Sequence, residues 1–165
     1  MPRRRSKPQP PVAALDAGLR LLARRAHSRV ELRRKLSRRG YEEEDIRAAL
    51  TRLAELGYVD DALFADGHIR RRSASRGPMA LSAELAARGV DKHTAGAALR
   101  AFDRDAQLAA ATRLAERLCG RNQPAGYGEL LDTIGVKLLR RGFPQAVARD
   151  VCRAVWARAA GTPNP

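Results

Sequence analysis

The chain has 165 residues and a formal net charge of +14, and 44% of its residues are hydrophobic while only 4% are aromatic. This length allows one domain with a core or a short array of small domains, and no apolar run approaches the ~20 residues that span a bilayer. Leu and Ala must carry the packing, which favours helices and argues against a β-sandwich. The two cysteines are too few for a disulfide framework, so we expect a cytoplasmic protein.

The first two predicted elements are a tail and a helix. Residues 1–11 are rich in Pro and Arg, and we expect them to form a disordered basic tail. Apolar residues at helical spacing from Val12 to Ala26 predict the first helix. Ser28, followed three residues later by Glu31, is typical of a capping box, so a second helix is predicted to begin there.

The next two helices each begin with acidic residues. A third helix is predicted to start with the acidic run Glu42–Asp45, and its apolar stripe includes Leu53 and Leu56. Asp60 or Asp61 is expected to cap the fourth helix. The predicted buried side of the fourth helix consists of Leu63, Phe64 and either His68 or Ile69.

Five further helices are predicted. Pro78 is well placed in the first turn of the fifth helix, and Asp91 is expected to cap the sixth, which ends at Phe102. The remaining helices are predicted at about 103–118, 129–141 and 144–159, and residues 161–165 form a loose end.

An internal repeat organises these helices. Three glycines, about fifty residues apart, each follow a Leu by four positions and precede an apolar residue, which is the pattern of a Schellman cap. The glycines are Gly40, Gly89 and Gly142. The sequence therefore predicts an all-α protein, an elongated array of three tandem three-helix repeats at 12–58, 59–102 and 103–160.

Motifs for catalysis are absent from the sequence. It has neither a Gly-rich nucleotide-binding motif nor the Cys and His spacing of a metal site. The nearest candidate cluster is Asp60, Asp61, Asp66 and His68, which we interpret as helix-capping acids and a surface histidine. We therefore expect no catalytic residue, no cofactor and no bound metal.

Clusters of basic residues are the better candidates for function. A net charge of +14 indicates a polyanionic partner, nucleic acid or a nucleoprotein, although the Arg content could also reflect genome composition or a solvated face. Recurrence at helix ends in different repeats favours binding. The predicted contact residues are Arg24, Arg25, Arg33, Arg34, Arg70, Arg71, Arg140 and Arg141.

Three stretches of the chain resemble the RecX family, the bacterial regulatory proteins of the RecA recombinase. They are an Arg-rich helix end followed by Ser-x-x-Glu-Leu within Leu22–Leu36, then Arg39–Tyr41, and then Leu56–Ala65 with its Asp-Asp-x-x-Phe-Ala. The segment from Gly77 to Gly89 also fits the second unit of the family. The resemblance covers about residues 14 to 159.

The resemblance implies a curved, three-unit, all-helical protein without enzymatic activity. Such a protein lies in the groove of the RecA–DNA filament, on single- or double-stranded DNA, where it inhibits ATP hydrolysis and strand exchange and so regulates DNA repair and recombination. We expect a monomer that does not bind membranes. Two alternatives stay open: a general DNA-binding protein that acts without RecA, and a helical adaptor whose Arg content has no binding role.

Overall fold

A computed structural model describes residues 11–120 and 124–161, and this part of the chain consists of helices and the turns between them. The helices are α1 Pro11–Leu22, α2 Arg29–Ser37, α3 Glu43–Glu55, α4 Asp61–Arg72, α5 Pro78–Ala87, α6 Lys92–Leu99, α7 Arg104–Cys119, α8 Tyr127–Leu130, α9 Val136–Arg140 and α10 Gln145–Ala160. A π-helical turn, Leu131–Gly135, joins α8 to α9. The all-α fold is confirmed, whereas most of the predicted basic tail and of the loose end lies outside the described residues. None of the described helices has the length and apolar character that crossing a membrane requires.

We call α1–α3, α4–α6 and α7–α10 the first, second and third helical units. The first unit has its own apolar core, which includes Leu32, Leu36 and Leu53. A second core extends from Phe64 to Cys152 and is shared by the second and third units. The first unit is therefore joined to the others without a common core, whereas the second and third units pack as one body.

The predicted glycine turns are confirmed. Gly40, Gly89 and Gly142 have φ angles of 85°, 79° and 84°. In each turn the residue after the glycine donates its N–H to the carbonyl of the Leu four positions before the glycine, at 3.1–3.4 Å. This bond defines the Schellman motif, and the glycine is needed because a side chain is disfavoured at positive φ. Gly57, with a φ of 73°, ends α3 in the same way.

Two predicted core residues are on the surface. Leu56 is 45% exposed and Leu63 is 67% exposed, so these predictions are wrong. Leu56 is the C-cap of α3, where the chain leaves the helix and its apolar stripe. Leu63 precedes the buried Phe64, and consecutive helical residues point about 100° apart.

The units are joined by the same contact at both junctions. Ser28 and Gly77 are the N-cap residues of α2 and α5, and each lies twelve residues before a Schellman glycine. The Ser28 hydroxyl donates to the carbonyl of Arg88, and the Gly77 N–H donates to the carbonyl of Arg141 at 2.8 Å. Both acceptors directly precede the Schellman glycine of the next unit. The start of the second helix in one unit is thus fixed on the turn that ends the corresponding helix of the next.

The acids near helix starts have the expected capping role in part. Asp60 accepts the N–H groups of Ala62 and Leu63, at 2.7 and 3.0 Å, which confirms it as the cap of α4. Ser28 accepts the N–H of Glu31 at 3.1 Å, which is one of the two hydrogen bonds of a capping box. The prediction of the second bond, in which the Glu31 carboxylate would accept the Ser28 N–H, is wrong. The Glu31 carboxylate binds basic side chains instead, as described next.

Candidate anion-binding groove

An open groove of about 980 Å³ lies between the first and second units. The residues that line it come from the end of α1, from α2, and from α4 and α5. They are Arg25, Ala26, Glu31, Phe64, His68, Arg71, Arg72, Glu84, Ala87 and Arg88. Four arginines against two carboxylates make the lining positive, so the groove favours an anionic ligand.

Glu31 organises the wall formed by the first unit. Its carboxylate lies 2.7 Å from Arg88 of the second unit, 3.1 Å from Arg25 and 3.3 Å from Nδ1 of the buried His27. Burial raises the pKa of Glu31, but hydrogen bonding to Arg25 and the charges of Arg25 and Arg88 outweigh it and lower the pKa. Glu31 is thus a carboxylate at neutral pH and connects the two units by its ion pair with Arg88.

Glu84 organises the opposite wall. It lies 2.8 Å from Nε2 of His68 and 3.3 Å from both Arg72 and Arg76. Burial raises the pKa of Glu84, but hydrogen bonds from Arg72 and His68 outweigh this effect, so the pKa is lowered. His68 and Ile69, the two alternatives predicted for the buried side of α4, are both buried, so the interpretation of His68 as a surface histidine is wrong. The His68 ring is stacked on Phe64 with centroids 6.3 Å apart.

The two walls share one arrangement, in which a carboxylate holds one buried histidine and two arginines. Each guanidinium has five N–H donors, and an ion pair with one carboxylate uses only part of them. Arg71 differs because it forms no ion pair with a carboxylate within the described ranges. The groove therefore presents one uncompensated arginine among several held in place, an arrangement that suits planar recognition of phosphate or carboxylate oxygens.

Only two of the eight predicted arginines, Arg25 and Arg71, meet in this groove. Arg70 lines a separate hollow of about 510 Å³ together with Arg113. Arg33 lines a third hollow and pairs with Glu43 at 2.8 Å.

The other four predicted arginines have different surroundings. Arg34 donates to the carbonyl of Ala87 across the first junction, and Arg141 donates to that of Ser75 across the second, both at 3.3 Å. These two side chains therefore support the junctions. Arg24 and Arg140 are exposed.

Sequence reasoning missed Arg72 and Arg88 as groove residues. A single Arg precedes Gly89, where the other two repeats have a pair, so the recurrence of arginine pairs gives no signal at Arg88. In the structure the Arg88 guanidinium forms an ion pair with Glu31 of the first unit and so helps to connect the first two units. The acidic cluster near His68 gives no metal site, since residues 11–120 and 124–161 contain no group of three His, Cys, Asp or Glu that could hold a metal ion.

Acidification is expected to weaken the fold through His27. Burial and the charge of Arg25 lower the pKa of His27 from 6.5. The unfolded chain therefore binds a proton more readily, so the contribution of His27 to stability is complete above about pH 6.5 and lost as the pH falls through the folded pKa. The lowered pKa values of Glu31 and Glu84 act only below about 4.5, so they do not obscure this range.

Urea unfolding at a series of pH values measures this effect. The free energy of unfolding of the wild type should decrease between about pH 6.5 and 5, and the decrease should be smaller in His27→Asn. The exposed His93 gives the control, because His93→Asn should leave the wild-type slope. A slope in His27→Asn equal to that of the wild type would contradict the assignment to His27.

Comparisons with known proteins connect this fold to a family. Family models described as the first and the second three-helix domain of RecX match residues 14–53 and 60–99. A regulatory protein RecX from Stenotrophomonas maltophilia (strain R551-3) is 39% identical over 142 residues, which covers 86% of this chain and 84% of that protein. One from Mycobacterium sp. (strain JLS) is 38% identical over 139 residues, covering 81% and 76%.

The crystal structure of RecX from Lactobacillus salivarius has the same fold, with a TM-score of 0.81 at 23% identity over 89% of this chain and 97% of that one. The fold and these relatives define a class of regulatory proteins built from tandem three-helix domains. This chain belongs to the RecX family.

Proposed function

We propose that this chain binds the DNA filament of a RecA-type recombinase through the groove between its first two units, and that it inhibits ATP hydrolysis and strand exchange. The observation that carries the proposal is the convergence of Arg25, Arg71, Arg72 and Arg88, from two units, on one open groove. The chain would act as a monomer, in the cytoplasm where the filament forms, and without a catalytic step or cofactor of its own.

Electrostatics supports a nucleic-acid component in the partner. Each phosphate that an arginine neutralises releases condensed counterions, so affinity depends steeply on salt concentration. Arginines already held by Glu31 and Glu84 lose less side-chain freedom on binding, which favours their contact with a phosphate. The same groove would accept single- or double-stranded DNA, because phosphate contacts carry no sequence information.

Inhibition would follow from the joint rigidity of the second and third units. These units share one core, and the Ser28 and Arg88 contacts hold the first unit against them. A stiff body bound to several neighbouring sites stabilises the filament geometry that it fits and opposes others. Hydrolysis and strand exchange would slow to the extent that they require those other geometries.

The ATPase activity of the cognate recombinase on single-stranded DNA, with and without this chain, tests the proposal. We expect inhibition that weakens as the salt concentration rises. Binding to the filament and to bare DNA should be measured in parallel. Equal affinity for both, with no change in ATPase activity, would contradict the proposal and favour a general DNA-binding protein. Salt-independent behaviour without DNA binding would favour a helical adaptor.

A further inference from the structure

Three large apolar side chains are exposed within eight residues of the chain, from the C-cap of α3 to the first turn of α4. They are Leu56, Tyr58 and Leu63, which are 45%, 58% and 67% exposed, and we call them the linker patch. The intervening Val59 and the following Phe64 are buried, so other residues of the segment supply its packing. Several exposed large apolar residues in one short segment indicate a contact surface for another protein.

The linker patch lies in a segment whose charge is opposite to that of the chain. No Lys or Arg occurs from Leu53 to Ile69, although the net charge of the chain is +14. The carboxylates in this segment are Glu55, Asp60, Asp61 and Asp66. A phosphate backbone would be repelled here, whereas a protein surface with basic residues would be attracted.

Local structure explains only some of these residues. Asp60 caps α4, Asp61 accepts the backbone N–H of Arg29 at 2.7 Å, and Glu55 pairs with Arg52 at 3.0 Å. The helix dipole also favours acids at the start of α4. None of these roles requires Tyr58 or Leu63 to be apolar and exposed.

We propose that the linker patch docks on the protein subunits of the filament, on an apolar depression rimmed by Lys or Arg, while the groove contacts DNA phosphates. This inference rests on the proposed function and assigns its two kinds of contact to two surfaces. An aromatic and two Leu side chains with a charged surround match the apolar centre and polar rim of protein interfaces.

One helix connects the two surfaces. Leu63 is in the first turn of α4 and Arg71 is near its end, so their backbone positions are about 12 Å apart along the helix axis at 1.5 Å per residue. Because the core holds α4 through Phe64 and Ile69, this separation is fixed. The partner must therefore present protein and phosphate at that spacing, which bare DNA does not offer.

A matched pair of variants tests the docking surface. Leu63→Ser and Met79→Ser each remove an exposed apolar side chain, at 67% and 66% exposure, and neither should perturb the fold. Leu63→Ser should weaken binding to the recombinase filament about tenfold and leave binding to bare single-stranded DNA unchanged. Met79→Ser should match the wild type in both assays. Wild-type filament affinity in Leu63→Ser would overturn the inference.

A charge reversal gives the second test, because it should affect filament binding and bare DNA binding differently. Asp66 is exposed, and Asp66→Lys should weaken filament binding while bare DNA binding stays equal or becomes tighter. Tighter binding to both would overturn the inference. Concentration-dependent dimerisation that Leu63→Ser abolishes would assign the patch to a second copy and also overturn it. If the wild type binds the filament no better than bare DNA, the proposed function itself is contradicted, independently of the linker patch.

Discussion

Replacing Gly77 with Ala is expected to lower the free energy of unfolding by about 3 kcal/mol, more than replacing Gly57, for which we expect about 1 kcal/mol. Gly77 has an ordinary φ of −81°, but an added Cβ would lie under 3.0 Å from backbone atoms of Gly142 and Phe143. Backbone cannot move aside as a flexible side chain can. The cost at Gly77 is therefore one of close approach between the second and third units.

Gly57 and Gly142 complete the comparison. Gly57 has a φ of 73° with nothing within 4 Å of an added Cβ, so Gly57→Ala isolates the cost of positive φ. Gly142 combines a φ of 84° with a Cβ position under 3.0 Å from the backbone of Ala80, so Gly142→Ala should cost about 4 kcal/mol or more.

Urea unfolding followed by helical circular dichroism measures all three variants. We expect the order Gly57→Ala, Gly77→Ala, Gly142→Ala, from least to most destabilised. Equal stability of Gly57→Ala and Gly77→Ala would contradict the contact described at the junction.

The helix ends were predictable from the sequence because a cap is a local structure. The Schellman turns at Gly40, Gly89 and Gly142 depend on residues within six positions, and all three are confirmed. The junctions were not predictable, because the second role of Gly142 arises only when Gly77 and Ala80, more than sixty positions away, lie against it.

The burial of groove side chains and their hydrogen-bond partners were also hard to predict, because they depend on residues distant in the sequence. His68 is buried because Glu84, from another helix, accepts its hydrogen bond and makes burial of the imidazole tolerable. The groove combines side chains of α2 with those of α4 and α5. Helical spacing within one segment does not indicate which other helices its side chains will contact.

Replacing Arg71 with Ala is expected to weaken filament binding about tenfold and to reduce the salt dependence of the logarithm of affinity by about one unit. Arg71 lines the groove and has no carboxylate partner in the described part of the chain, so its removal loses a contact without exposing an acid. The thermal stability of the variant should therefore equal that of the wild type.

Two further variants serve as comparisons for Arg71→Ala. Arg153→Ala removes an exposed arginine of α10 away from the groove and should change neither affinity nor salt slope. Arg88→Ala should lower both affinity and stability, because Arg88 also pairs with Glu31 across the first junction. Equal weakening by Arg71→Ala and Arg153→Ala would indicate a diffuse effect of charge. The same measurements on Ala variants of the other predicted arginines test whether each of them contacts the filament.

The recombinase filament is proposed to bind in the groove between the first and second units. Titration of this chain into a recombinase ATPase assay on single-stranded DNA is the most direct test of this proposal. The wild type, Arg25→Ala/Arg71→Ala and Arg149→Ala/Arg153→Ala should be compared at one salt concentration, since both double variants remove the same charge. We expect the groove variant to require well over ten times more protein for half-inhibition, and the α10 variant to match the wild type. Half-inhibition by the groove variant at the wild-type concentration would contradict the assignment of the filament to this groove.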